Sequence, residues 1–248
     1  MTKPTVVVAA DEGALARLGA ELVARCARES GPQFCVALSG GSTPQPLYRL
    51  LASAEHQGTI PWEAVHVFLA DERAVPPGHA DSNYAMIDQL LLSRVPLPGA
   101  RVHRMRGEAA NLPLAAKEYE WTLCTACEFE APCREPILDL VLLGIGDDGH
   151  TASLFPDTAA LTEEDRWVVA NYVPKLNAHR LTLTYPAIAA AREVVFLVQG
   201  AGKAEIVRRV LAGDASLPAT RAAGHPHATF VLDEAAASAL GPQWRDNR

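Results

Sequence analysis

Two stretches of this chain, ILDLVLLGIG (Ile137 to Gly146) and EVVFLVQG (Glu193 to Gly200), are apolar almost without a break and end in glycine. A short continuous run of Val, Leu and Ile is what a strand covered on both faces requires, since neither side of it meets water. The theme recurs along the chain. TVVVAA (Thr5 to Ala10) leads into a segment with Leu15, Leu18 and Leu22 at helical spacing. FCVALSGGSTP leads into QPLYRLLA, where Leu47, Leu50 and Leu51 share a helical face. VHVFLADER ends in charge, and after a loop SNYAMIDQLLL is helical again. Strand and helix in alternation predict an α/β protein, a mostly parallel sheet with helices on both faces.

Composition narrows the function classes. With 49% hydrophobic and 21% charged residues in 248, the chain can bury a sizeable core, which argues against disorder. Its net charge of −7 offers no general attraction for nucleic acid or for an acidic membrane surface. The first apolar run is too short for a signal peptide, and no stretch approaches a membrane span. Five cysteines, an odd number in a chain large enough not to need disulfides, fit a reducing compartment. A cytoplasmic protein with no obligate protein partner is the expectation. The least regular segments, 74–83, 96–113 and 212–228, do not separate two stretches that each look complete, so residues 1–248 are read as one domain.

In an open α/β sheet, ligands bind beyond the carboxyl ends of the strands. Four predicted strand ends carry chemistry. In LSGGSTP (Leu38 to Pro44), Gly40 and Gly41 let the backbone approach a ligand, Ser42 and Thr43 add hydroxyls, and Pro44 and Pro46 suit the first turn of a helix. The stretch is neither a Walker loop nor a dinucleotide fingerprint, and an ordinary glycine turn with a serine cap is its plain alternative. In QGAGKAEIVRRVL, Lys203 starts a helix, an unfavourable place for a cation unless an anion shares it; a solvated lysine is the alternative. LADERAVP places Asp71, Glu72 and Arg73 after Val65 to Ala70, which also reads as a surface ion-pair cluster. GIGDDGHTASLFP (Gly144 to Pro156) sets His150 among glycines at the end of a buried strand with Asp147 and Asp148 beside it, the pairing a general base needs. Four such ends in one sheet would converge on one crevice, suited to a small phosphorylated metabolite. Lys175, His179 and Arg180, ahead of a predicted strand from Leu181 to Tyr185, are further candidates, with Arg180 arriving on the preceding loop.

Taken in order, LSGGSTP, FLADERAVP with DSNYAM, LVLLGIGDDGHTASLFP, RLTLTYPAI and VVFLVQGAGKAEIV resemble the motifs of the 6-phosphogluconolactonases, which share a superfamily with the glucosamine-6-phosphate deaminases. The resemblance runs from about residue 5 to 240. It implies a Rossmann-like fold and hydrolysis of 6-phospho-D-glucono-1,5-lactone to 6-phosphogluconate, the second step of the oxidative pentose phosphate pathway. It implies His150 as the base that activates water and Asp148 as the aspartate of the D-G-H core. Asp71 and Arg73 would face the sugar ring, while Gly40, Gly41, Ser42, Thr43, Arg180 and Lys203 would hold the phosphate. No cofactor or metal is implied, because a δ-lactone is an activated ester that a positioned base, a water and oxyanion donors can open.

The deaminase branch carries a glutamate five residues after the histidine, where this chain has Phe155. Phenylalanine cannot move the protons that isomerisation and loss of amine require, so the sequence favours the lactonase. A sugar-phosphate sensor of the same fold would be expected to lose His150 or Asp148, and both are present. A dinucleotide-dependent dehydrogenase lacks its glycine fingerprint here. Cys124, Cys127 and Cys133 lie close in sequence but have no evident fourth ligand nearby, and His225 with His227 is a weaker cluster still; neither is read as a metal site.

Overall fold

The computed structural model describes residues 3–126 and 138–245. In chain order the described strands are β1 (Thr5–Ala9), β2 (Phe34–Leu38), β3 (Val65–Leu69), β4 (Asp71–Arg73), β5 (Leu140–Leu143), β6 (Val168–Val173), β7 (Ala178–Leu183), β8 (Glu193–Val198) and β9 (Ala228–Asp233). The described α-helices are α1 (Glu12–Glu29), α2 (Gln45–Leu51), α3 (Asn83–Leu90), α4 (Leu112–Ala126), α5 (Tyr185–Ala189), α6 (Ala204–Leu211), α7 (Pro218–Ala223) and α8 (Pro242–Arg245). Among the described residues no helix is long and apolar enough to cross a membrane.

Six strands form a parallel sheet in the order β1-β9-β8-β5-β2-β3. Every residue of β2, β3 and β5 is buried, as continuous apolar runs demand when both faces are covered. The edge strand β1 is only partly buried. In the middle of the sheet, the rings of Phe196 on β8 and Phe230 on β9 stack at 4.5 Å. Along α1, Leu15, Gly19, Val23 and Cys26 recur at helical spacing and are all buried, and Asp11 caps the helix by accepting the Ala14 N–H at 2.7 Å.

The strand order places the ligand crevice. From β2 the chain moves outward to β3 on one side, then returns to add β5 on the other side of β2, followed by β8 and β9. The loops leaving β2 and β5 therefore diverge, opening a gap at the carboxyl ends of neighbouring strands. Those loops are the LSGGSTP and GIGDDGH stretches.

Two expectations need correction. The third charged strand end does not stop at the parallel sheet. Ala70 donates its N–H to Leu38 O and accepts from Leu183 N, both at 2.8 Å, so this one fully buried residue belongs to both sheets. Beyond it, Asp71–Arg73 is itself a strand, the edge of an antiparallel sheet in the order β4-β7-β6. The predicted strand Leu181 to Tyr185 is also shifted. Strand β7 begins at Ala178, and Tyr185 already opens α5, with Pro186 in its first turn. Arg180 therefore lies within a strand and not on a preceding loop. Of the cysteine cluster, Cys124 lies on α4, while Cys127 and Cys133 lie outside the described residues.

Candidate active site

At the gap between β2 and β5 lies a cleft of about 290 Å³. Gly40, Gly41, Ser42 and Thr43 line it from one side, His150 from another, and Asp71, Arg73 and Lys203 complete the ring of expected residues. Asp148 and Arg180 do not line it.

The turn after β5 explains how His150 arrives. Gly146 N donates to His150 O at 2.8 Å and Gly149 N to Gly146 O at 3.0 Å, folding five residues into a tight loop. Gly149 has φ +77, and a Cβ on Gly146 would sit 2.0 Å from the His150 ring. The imidazole lies over bare backbone, a close approach that only glycine permits. Its Nδ1 is 2.5 Å from Asp148 Oδ1, and its other support is the Phe155 ring, stacked at 3.9 Å. An ionised carboxylate can only accept, so Nδ1 carries the proton of the neutral ring and Nε2 keeps its lone pair. Asp148 sits behind the imidazole, where it can orient the ring without touching whatever fills the cleft. Burial works to raise the Asp148 pKa, but hydrogen bonds from Lys175 and His150 outweigh it and hold the carboxylate down to about 2.

Across the cleft, Asp71 is buried and has both oxygens occupied. Ser153 Oγ donates to Oδ2 at 2.6 Å, and Asn83 Nδ2 donates to Oδ1 at 3.1 Å and to the Asp71 carbonyl at 2.9 Å. Asn83 packs so tightly under the phosphate-loop candidate that a Cβ on Gly40 would come within 1.8 Å of its Oδ1. Asn83 and Ser153 therefore hold the site together, and sequence reasoning gave neither a role. Both stood inside quoted motifs, yet nothing local distinguishes them from ordinary polar loop residues. Glu72 is a structural anchor. Its carboxylate accepts the N–H groups of Arg73, Asn83 and Tyr84 and the Ser82 hydroxyl, tying β4 to the start of α3.

The cations are distributed unevenly. Lys203 stands just before α6 without a capping hydrogen bond and pairs with the exposed Asp147, whose pKa its hydrogen bond lowers. Arg73 lines the cleft and donates to Asp81 O. Arg180 faces Arg73 across the β4–β7 register. Burial lowers the Arg180 pKa and the Arg73 charge lowers it further, against the carboxylates of Asp71, Glu72 and Asp81. Like charges directly opposite in a sheet destabilise it, and those three carboxylates offset the pair. Lys175 pairs with Asp148 at 2.8 Å and is not part of the cleft wall. Among the described residues, no three His, Cys, Asp or Glu side chains group to hold a metal ion.

The family model for glucosamine-6-phosphate isomerases/6-phosphogluconolactonase matches residues 10–231. The chain belongs to this family. Within it, a 6-phosphogluconolactonase of Nostoc sp. is 39% identical over 96% of this chain and 99% of its own length. One from Synechocystis sp. is 43% identical over 85% of this chain and 86% of its own. The solved 6-phosphogluconolactonase of Trypanosoma cruzi superposes with a TM-score of 0.84 at 29% identity, covering 97% of this chain and 98% of that one. The parallel sheet with its flanking helices is thus the family's α/β fold.

Proposed function

We propose that this protein hydrolyses 6-phospho-D-glucono-1,5-lactone to 6-phosphogluconate, with His150 as general base. The observation that carries the reading is the Asp148–His150 pair beside the cleft, with Phe155 stacked on the imidazole at the place where the deaminase branch carries a glutamate. Nε2 of the neutral imidazole takes a proton from water as the water oxygen attacks the lactone carbonyl. The tetrahedral oxyanion then collapses, the bond to the ring oxygen breaks, and the imidazolium returns its proton to that leaving alkoxide. One water is consumed, His150 ends neutral, and the new carboxylic acid releases its proton to solvent to give the carboxylate. Asp148 stabilises the transient imidazolium, a role suited to a carboxylate that stays ionised. Asp71, locked by Ser153 and Asn83, offers a fixed acceptor to a sugar hydroxyl, with Arg73 beside it.

For the phosphate, the reading assigns the loop Gly40–Thr43 and Lys203, with Arg180 adding charge next to Arg73. An arriving phosphate would compete with Asp147 for Lys203. On this reading residues 1–248 act as one domain, need no cofactor, and work in the cytoplasm in the second step of the oxidative pentose phosphate pathway. The test is a coupled assay on freshly generated 6-phosphogluconolactone, corrected for spontaneous hydrolysis. Turnover is expected on that lactone, much weaker turnover on unphosphorylated gluconolactone, and no release of ammonia from glucosamine 6-phosphate. Ammonia release at a comparable rate would overturn the assignment.

A further inference from the structure

We infer that Lys175, at the tip of the β6–β7 hairpin, is a positioning residue that fixes Asp148 and, through it, the orientation and basicity of His150. The inference rests on the general-base reading above and assigns that site a third member. Asp148 divides its two oxygens: Oδ1 faces His150 Nδ1 at 2.5 Å, and Oδ2 accepts from Lys175 Nζ at 2.8 Å. A carboxylate gripped at one oxygen can still swing about its side-chain bonds. Gripped at both, it presents a single direction to the imidazole.

The hairpin tip is built to deliver the ammonium. Pro174 restricts the backbone just before Lys175, and Asn177 closes the turn with its N–H on Pro174 O and φ 45. Tyr172 Oη then ties the strand to Asn177 Oδ1 at 2.6 Å. Lys175 also stands apart from the substrate. Together with Asp148 and Phe155 it lines a separate hollow of about 230 Å³, which His150 does not line. Lys175, a further candidate in the sequence, therefore does not line the cleft.

Charge gives a second consequence. Asp148 favours the protonated imidazole, and the Lys175 ammonium opposes that by offsetting the carboxylate. Other charges lie around the site: Asp147 on the same loop, paired with Lys203 just before α6, Asp71 and Arg73 lining the cleft with His150, and Asp157 lining the hollow. None of these contacts Asp148 Oδ2, so the Lys175 contribution is separable. The Lys175 side chain is 67% exposed, so replacing it should not disturb the core.

The test compares Lys175→Met and Lys175→Arg with the parent protein, measuring kcat and KM on 6-phosphogluconolactone across pH. Lys175→Met should lower kcat about 3- to 30-fold and leave KM within twofold. It should also move the acid limb of the kcat profile up by about half a pH unit to one unit. Lys175→Arg should restore most of both, because it keeps the charge and the donor. A rise in KM without the pH shift would make Lys175 a substrate ligand and overturn the inference, as would an unchanged profile. His150→Asn, assayed in parallel, separates the two failures. An inactive His150→Asn beside an unaffected Lys175→Met overturns this inference alone. A fully active His150→Asn overturns the general-base reading and this inference with it.

Discussion

His150 and His103 each meet another ionisable side chain at hydrogen-bonding distance, yet they stand in opposite situations. His150 is at the carboxyl end of a parallel strand, on a glycine turn, against a carboxylate, and its side chain is 29% exposed beside the cleft. His103 is stacked on Phe68, and its Nε2 lies 3.0 Å from Nδ1 of the buried His66. Arg101 approaches His66 Nε2 at 3.2 Å. A guanidinium only donates, so His66 accepts there and passes its own Nδ1–H to His103, a chain that works only while both rings are neutral. Burial, and to a lesser extent the neighbouring His66, lower the His103 pKa to about 4. A carboxylate partner at a strand end leaves an imidazole able to gain a proton. An imidazole partner inside the fold forbids it.

Three experiments could break that contrast. His150→Asn should have the largest effect, a loss of roughly 10²–10⁴-fold in kcat with KM little changed and the melting temperature nearly unaffected. If the variant failed to fold, His150 would be a packing residue like His103, and the contrast would collapse. Lys203→Ala should come next. Charged hydrogen bonds contribute about 1.5–3 kcal/mol, so KM for the phosphorylated lactone should rise about tenfold to a hundredfold while kcat and the response to gluconolactone barely move. An unchanged KM would remove Lys203 from the phosphate site.

The third experiment concerns His103 and stability alone. Its folded pKa of about 4 lies below the ordinary 6.5, so between those values the unfolded chain binds more protons than the native one. The stabilisation is fully present above pH 6.5 and is lost as pH falls toward 4, on the order of 1–3 kcal/mol in all. Denaturant titrations at pH 8 and pH 4.5 should show the difference. In His103→Gln the loss over that window should shrink, while turnover at pH 8 stays at the parent level. An equal acid loss in both proteins would assign it elsewhere, with the buried His225 as the next candidate, since burial lowers its pKa too.

Much of the fold was legible in the chain because its signals are local. Continuous apolar runs mark strands covered on both faces, helical spacing marks α1 and α3, and glycine after a run marks a strand end. The strand-end rule singles out Gly40 to Thr43, Asp71, Arg73, His150 and Lys203 as candidates, and these residues line the cleft. Local signals fail where the partner is remote. Nothing near Ala70 announces that it will bond to Leu38 on one side and Leu183 on the other, so the departure of β4 into a second sheet was invisible. The same holds for the facing of Arg73 and Arg180, which only strand register creates.

At the site the division follows the same line. Sequence by itself determined which chemical groups stand at the strand ends and that the turn after β5 needs its glycines. Tertiary structure alone decided their partners: Ser153 reaches Asp71 across 82 residues, and Lys175 reaches Asp148 across 27. A hydrogen bond has a range of about 3 Å and a fixed direction. Its partner is set by where the backbones cross in space, and no periodicity in the chain encodes that crossing.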